Sequence, residues 1–205
     1  MSPRIFLLSP ARAGGPRCEM LLRKEAQFDL AVKLREGTAR IGEVYSFISG
    51  LYFRGKMTYA EAFAAAPAGV PSSVVIVPGA GLVPPETLIG VEQLCAIGAI
   101  PVDEDNHTYR EALLSAAKLL DEHAGPACQY VLLGSVASGK YTTPLLKVFG
   151  ERLVFPIDFV GRGDMSRGGL MLRCARSGNE LPYVPVAGAV LHGARPPRLE
   201  RWRKP

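Results

Sequence analysis

One stretch of the sequence has the glycine spacing and the lysine that are typical of phosphate-binding loops. Residues 134–140 read Gly-Ser-Val-Ala-Ser-Gly-Lys and follow an apolar run. Glycines allow backbone amides to face a phosphate, and the lysine neutralises its charge. A nucleotide hydrolase of this kind needs serine or threonine next, to hold magnesium, but Tyr141 stands there. The pattern therefore predicts a phosphate or nucleotide cradle without hydrolysis, or else a plain strand–helix connection. The contacts expected in such a cradle are Ser135, Gly139, Lys140 and Tyr141.

A second stretch, residues 158–169, combines two carboxylates, two guanidinium groups and four glycines. Asp158 and Asp164 are candidate catalytic residues, because a carboxylate can act as a general base or stabilise a developing cation. Arg162 and Arg167 can hold a phosphate or carboxylate through forked hydrogen bonds. The structural alternative is a turn that Asp–Arg pairs hold together.

A third stretch places aromatic side chains beside cations. Tyr52 and Phe53 are suited to stacking on a base, while Arg54 and Lys56 are suited to phosphate contact. The alternative is that the aromatic residues belong to the core. His192, the one histidine near a basic cluster, is a further candidate binding residue.

Strands and helices must position these residues, and their patterns alternate along the chain. β-branched and other apolar runs predict buried strands at 4–9, 74–77, 130–133 and 153–155. Four helices are predicted. The first covers 19–35, the second and third begin with capping boxes at Thr58 and Thr108, and the fourth is short and runs from Thr143 to a stop at Gly150. Predicted loops cover 45–56, 78–85, 134–141 and 156–191, the last with short strands near 170–173 and 183–186.

This alternation predicts an α/β fold: a single three-layer domain with a small, mostly parallel sheet flanked by helices. Ligands of such sheets bind beyond the carboxyl ends of the strands. We therefore expect the loops after Leu8, Val77, Leu133 and Phe155 to matter. In particular, the functional hypothesis requires the loops after Leu133 and Phe155 to meet in one pocket shared by Lys140, Asp164 and Arg167, with Arg162 on the same side of the molecule as Lys140.

Size and composition are consistent with one domain. The chain has 205 residues, 48% of them hydrophobic, and no apolar run approaches the roughly 20 residues of a membrane span. We expect a domain at 1–191 and a basic tail at 192–205, which carries four arginines and one lysine against one glutamate. Scattered cysteines and histidines predict no metal site and a reducing cytoplasm. No cofactor is expected.

Three groups of residues also resemble motifs of an uncharacterised bacterial family, in the same order. They are Gly50-Leu51-Tyr52-Phe53-Arg54-Gly55, the run 75–84, and Leu133-Gly134-Ser135 with Gly139-Lys140-Tyr141 and Pro144-Leu145-Leu146. The middle motif is similar to one in YaaA-type peroxide-stress proteins and in the core domain of archaeosine synthase. The resemblance covers roughly residues 45–165. It implies a uracil-DNA-glycosylase-like α/β fold and a role with nucleic acids or nucleobases.

The leading hypothesis is a DNA- or RNA-binding protein that could act on an N-glycosidic bond or a modified base, as in DNA repair. A hydrolase of this type extrudes the base, stacks it and places a carboxylate near the sugar. The basic loops and tail would supply affinity for the backbone. The alternative is a nucleotide or small-phosphate binder using residues 134–141, and a third class is a catalytically silent partner protein.

Overall fold

The computed structural model describes residues 2–197 and 199, and a six-stranded sheet lies at its centre. The strands in order are β4-β3-β1-β6-β7-β8, and the inner four are parallel. The two edge strands, β4 and β8, pair antiparallel with their neighbours. The strands that the described residues form are β1 (Arg4–Leu8), β2 (Ala39–Arg40), β3 (Ser73–Val77), β4 (Gly81–Val83), β5 (Leu88–Ile89), β6 (Gln129–Leu133), β7 (Leu153–Pro156) and β8 (Tyr183–Pro185). β2 and β5 form a separate antiparallel pair.

The inner strands are apolar along their length because helices cover both faces of the sheet. Successive side chains of a strand point to opposite faces, so Phe6 and Leu8 pack on one side and Ile5 and Leu7 on the other. All four are fully buried. The four buried strands predicted from the sequence are confirmed.

Helices form the two outer layers. The helices of the described residues are α1 (Pro16–Leu22), α2 (Asp29–Arg35), α3 (Ile41–Ser49), α4 (Leu51–Phe63), α5 (Val91–Ala99), α6 (His107–Ala124), α7 (Gly139–Phe149) and α8 (Asp164–Ser177). The first four pack with α5 and α8 on the Phe6 face, and α6 and α7 cover the opposite face. The predicted three-layer α/β class is therefore confirmed.

The helix predicted as continuous over 19–35 is wrong, because the chain breaks between α1 and α2. Arg23 is extended there, with ψ 129°. The guanidinium of Arg35 donates to the carbonyls of Arg23 (3.4 Å) and Ala26 (2.7 Å). These bonds satisfy carbonyls that a continuous helix would have satisfied within itself.

The loop predicted over 45–56 is also wrong, since α3 and α4 occupy this segment. Only Gly50 interrupts them, at φ 62°, where a glycine is favoured. The aromatic residues are core residues: Tyr45 and Phe53 are fully buried, with ring centroids 5.3 Å apart. Thr58 therefore lies inside α4 and does not begin a helix.

Other element boundaries also differ from those predicted. The side chain that caps α6 is that of Asn106, which accepts from the amide of Tyr109 at 3.0 Å and lies two residues before Thr108, the predicted cap. Helix α7 begins at Gly139 and not at Thr143, although it ends at Gly150 as predicted. The strand predicted near 170–173 is wrong because that segment lies within α8, whereas β8 confirms the strand near 183–186.

The segment 78–85 is not a simple loop, because β4 turns back onto β3. Gly79 and Gly81 both have positive φ and allow the reversal. A Cβ on Gly81 would overlap the backbone of α6.

No helix among the described residues is long and apolar enough to cross a bilayer. The basic tail predicted at 192–205 lies partly outside the described residues, and the boundary at 191 stays a prediction.

Candidate ligand-binding cleft

The order of the parallel strands in the sheet reverses between β1 and β6, which makes this position a topological switch point. From β1 the chain passes to β3 on one side and later to β6 on the other. Loops that leave the carboxyl ends of β1 and β6 therefore diverge, which is where ligands of such sheets bind. A cleft of about 680 Å³ opens there, and we call it the switch-point cleft.

Both apolar and polar residues line the switch-point cleft. The apolar residues include Ile48, Ile97, Ile100 and Val102. The side chains with polar or charged groups are those of Ser9, Arg12, Ser49, Tyr52, Ser135, Lys140, Tyr141 and Asp164. Its volume lies within the range of small-molecule sites, roughly 300–1,000 Å³.

Ser9 lies at the junction of the two strands and contacts a buried lysine. Its amide donates to the carbonyl of Leu133 (3.2 Å), which extends the pairing of β1 with β6. The Nζ of Lys56 is 2.8 Å from the Ser9 carbonyl and 2.6 Å from the Ser9 Oγ. A Cβ on Gly134 would be 2.8 Å from the Ser9 Cβ, so the close approach requires glycine. Together these contacts hold the serine hydroxyl at the cleft.

Burial lowers the pKa of Lys56 to about 7. The side chain is 1% exposed, and removal of water disfavours the ammonium form. Asp164 opposes this lowering, while the positive charges of Arg167 and Lys140 add to it. The amine therefore titrates near neutral pH inside the protein.

Tyr52 lines the cleft with a hydroxyl that forms no hydrogen bond of standard geometry with the described residues, although Arg167 and Ser9 lie near enough to favour its charged form. The residue is 6% exposed, and the Nζ of Lys56 lies 4.0 Å from the centre of its ring. Burial raises the pKa of Tyr52 to about 12, so the phenol stays protonated. A buried hydroxyl without a partner is costly, and most buried polar groups in native proteins are hydrogen-bonded.

The loop before α7 brings Lys140 to the same cleft. The Tyr109 hydroxyl donates to the Lys140 carbonyl at 2.9 Å and thus supports this loop from α6. The carboxylate of Glu104 lies against Gly139, near the start of α7. A negative charge there is favourable, because helix amides point outward at an N-terminus. Glu104 is not among the residues that line the cleft. Lys140 and Arg12 are the positively charged residues that do line it.

The structure brings five of the predicted site residues to the switch-point cleft. They are Tyr52, Ser135, Lys140, Tyr141 and Asp164. Gly139 is adjacent to them as the first residue of α7. The expected meeting of the loops after β6 and β7 thus occurs through Lys140 and Asp164, but without the two arginines.

The two arginines serve other contacts. Arg167 is 7% exposed, and its Nε and Nη2 donate to the carbonyl of Phe159 at 3.1 and 2.9 Å. Its remaining nitrogen is 3.6 Å from Asp164. Arg162 donates to the carbonyl of Asp158 at 2.9 Å and lines a second cleft of about 340 Å³ with Arg195. Asp158 lies in a 3₁₀ turn and is not among the residues of the switch-point cleft.

The remaining predicted residues do not face the cleft either. Phe53 is fully buried and Lys56 nearly so, and therefore neither can contact a base or a phosphate directly. Arg54 and His192 are exposed and are not among the residues of either cleft.

Sequence reasoning missed Ser9 and Arg12. Both follow β1, whose carboxyl end was expected to matter, but a single serine and a single arginine form no recognisable motif. The contact between Ser9 and Lys56 spans 47 positions in the chain and exists only in the folded protein.

A close crossing of α4 with α8 positions one side of the cleft. A Cβ on Gly55 would be 2.8 Å from the Gly168 carbonyl oxygen, and one on Gly168 would be 2.8 Å from the backbone of Tyr52. Only glycines allow this approach. It sets Tyr52 and Lys56 of α4 beside Asp164 of α8.

Comparison of the chain with protein-family models, with curated proteins and with solved structures finds no match in any of the three. The function therefore has to be argued from the cleft.

Proposed function

We propose that the protein binds a small phosphate-bearing ligand, most simply a nucleotide, in the switch-point cleft. The observation that carries the proposal is the convergence of Lys140, Arg12 and the unpartnered Tyr52 hydroxyl on one cleft at the carboxyl ends of β1 and β6. Cations and hydroxyl donors are the groups that recognise a phosphate.

The rest of the cleft fits the remainder of a nucleotide. Ile48, Ile97 and Ile100 offer an apolar surface for a base or sugar. The hydroxyls of Ser49 and Ser135 can exchange hydrogen bonds with sugar or base edges. Tyr141 occupies the position where a magnesium-binding hydroxyl would be needed for hydrolysis, so binding without hydrolysis is proposed.

Calorimetric titration with mononucleotides, nucleosides and inorganic phosphate tests this proposal. We expect mononucleotides to bind more tightly than nucleosides. Replacing Lys140 by methionine should weaken mononucleotide binding about tenfold or more, because a hydrogen bond to a charged group contributes roughly 1.5–3 kcal/mol.

The matched control is Lys147→Met, which removes an exposed lysine from the same helix. An equal loss of mononucleotide affinity in the two variants would mean that the net charge of the protein, and not a specific contact with Lys140, determines binding. Absence of binding by every mononucleotide would overturn the proposal.

The second candidate is nucleic-acid binding with one nucleotide extruded into the cleft. The observation that favours it is the second cleft, where Arg162 and Arg195 line a surface next to the start of α8. A strand backbone could contact these arginines while Asp164 faces the sugar of the extruded nucleotide and assists cleavage of its N-glycosidic bond.

Binding of oligonucleotides at about 50 mM salt, where backbone contacts are strong, separates the two candidates. The nucleic-acid candidate requires oligonucleotides to bind more tightly than mononucleotides and Arg162→Ala to reduce the salt dependence. Free base released by wild type but not by Asp164→Asn would extend it to a glycosylase.

A further inference from the structure

We infer that Ser9 and Lys56 are a nucleophile and its general base, and that the switch-point cleft performs acyl transfer on an ester or amide that carries a negatively charged group. The charged group rests on the proposed function, because Lys140 and Arg12 are what would hold it. The serine–lysine pair stands on its own geometry.

The geometry suits a neutral lysine. An uncharged amine can donate one proton to the Ser9 carbonyl, 2.8 Å away, and accept the proton of the Ser9 hydroxyl, 2.6 Å away. This is the arrangement that activates a serine, and lysine serves as the base in one known variant of it. Ser9 borders the cleft, whereas Lys56 is buried behind it and shielded from water.

The surroundings of Lys56 make its neutral form accessible near neutral pH. Burial is the main cause of its lowered pKa, about 7. The charged groups that face it are Asp164 and Arg167 on α8 and Lys140 on α7, and only Asp164 favours the ammonium form. No carboxylate among the described residues forms an ion pair with Lys56, which would otherwise keep it protonated.

The proposed reaction has two balanced steps. In the first, Ser9 Oγ bonds to the carbonyl carbon while its proton moves to Lys56 Nζ and the carbonyl π electrons move to oxygen. The carbonyl then re-forms, the bond to the leaving alcohol or amine breaks, and the leaving group takes the proton from Lys56. In the second step, water attacks the Ser9 ester and gives a proton to Lys56, which returns it to the departing Ser9 Oγ. The net change is hydrolysis of one acyl bond.

Tyr52 is placed to stabilise the intermediate oxyanion. Its hydroxyl forms no hydrogen bond of standard geometry with the described residues, and burial raises its pKa to about 12, so it stays protonated. The Ser9 hydroxyl is near enough to Tyr52 and to Tyr141 to favour their charged forms, so both phenols surround the reacting atom. A donor already in place where charge develops is among the most effective contributions to catalysis.

Covalent labelling of the full chain with an uncharged fluorophosphonate tests the pair directly, since this reagent reacts with activated serines. Mass spectrometry of the intact protein and of its peptides should show one adduct, on Ser9. The labelling rate should rise with pH through about 7, because the base must be neutral.

Variants distinguish activation of Ser9 by Lys56 from a purely structural role of the lysine. Lys56→Met should slow labelling about a hundredfold or more, the usual contribution of a general base. Lys147→Met, which removes an exposed lysine of α7, should label at the wild-type rate. Ser115→Ala, which removes an exposed hydroxyl of α6, should also keep the adduct on Ser9. Circular dichroism confirms that each variant is folded.

The outcomes that overturn the inference are specific. A folded wild type without an adduct between about pH 6 and 9, where the lysine becomes neutral, removes the nucleophile. An adduct on another serine does so too, as does equal labelling of Lys56→Met. Nucleotide titration of the same sample keeps the two proposals distinct: a protein that binds nucleotides but is never labelled retains the proposed function and loses this inference.

Discussion

Charged and phenolic side chains cluster at both ends of the central sheet, and the two clusters are bonded differently. At the amino end, Asp121 receives a two-pronged contact from Arg152, at 2.6 and 2.7 Å, and a hydrogen bond from Tyr130 at 2.7 Å. At the carboxyl end, both hydrogen bonds that Lys56 forms with the described residues go to Ser9, and the Tyr52 hydroxyl forms none of standard geometry with them.

The amino-end cluster is internally satisfied and stabilises the fold, whereas the carboxyl-end cluster is the one that we propose binds a ligand. Burial by itself would raise the pKa of Asp121, but hydrogen bonds from Arg152 and Tyr130 outweigh it and lower that pKa. For Lys56 no bond outweighs burial. Unsatisfied or poorly compensated polar groups cost stability, and natural proteins retain them mostly at functional sites.

The largest expected effect concerns the helix crossing that supports the carboxyl end. Gly168→Ala should lower the free energy of unfolding by about 3 kcal/mol, because the new Cβ would press on the backbone of α4 at 2.8 Å. Urea denaturation measures it. Gly169→Ala is the control in the same helix, since its Cβ meets the nearest atom at 3.5 Å. Equal stability of the two variants would refute the crossing.

The next effect concerns the amino end. Asp121→Asn should lower the free energy of unfolding by about 2 kcal/mol, because the Arg152 charge loses its partner. Nucleotide affinity, measured by calorimetry, should not change. Glu122→Gln, at an exposed position of the same helix, should leave stability unchanged. A fall in affinity with Asp121→Asn would contradict the separation of the two ends.

A third effect depends on pH and isolates Lys56. Its folded pKa, about 7, is below its ordinary value of 10.5, so between these values the unfolded chain holds one more proton. The stability contributed by this group is therefore complete above 10.5 and is lost as the pH falls towards 7. Wild-type stability should rise by about 1.4 kcal/mol per pH unit within the window relative to Lys56→Met.

Urea denaturation at two pH values inside that window checks the slope. Lys118→Met, which removes an exposed lysine of α6, should leave the slope as in wild type. A wild-type slope that equals that of Lys56→Met would mean that Lys56 has an ordinary pKa.

The smallest effect has an informative sign. Tyr52→Phe should raise the free energy of unfolding by about 1 kcal/mol, because it deletes a buried hydroxyl without a partner, and should weaken nucleotide binding about fivefold. Tyr59→Phe should do the opposite to stability, since its hydroxyl bonds to Tyr183 and to the Leu181 amide, both at 2.8 Å. Thermal and calorimetric measurements of both variants decide the matter. Destabilisation by Tyr52→Phe would show that its hydroxyl already has a structural partner.

Local patterns were enough to predict the inner strands and the α/β class. A strand buried on both faces consists mostly of apolar residues. The runs 74–77 and 130–133 can therefore be recognised as strands from the local sequence alone. The connection between β6 and α7 that contains Lys140 could also be predicted locally, because glycine spacing between a strand and a helix is a property of the local sequence. The predicted α/β class in turn indicated that a ligand would bind at the carboxyl ends of the strands.

Tertiary structure alone decided which polar residues meet. The sequence made Phe53 a candidate for stacking on a base, but in the folded protein it packs against Tyr45 in the core. Arg167 was a candidate for phosphate binding, but it donates a hydrogen bond to the Phe159 carbonyl. Ser9 and Lys56 lie 47 positions apart, and their contact depends on glycines that let α4 approach α8 and Gly134 approach Ser9. Such contacts follow from packing between distant segments, and no local pattern encodes them.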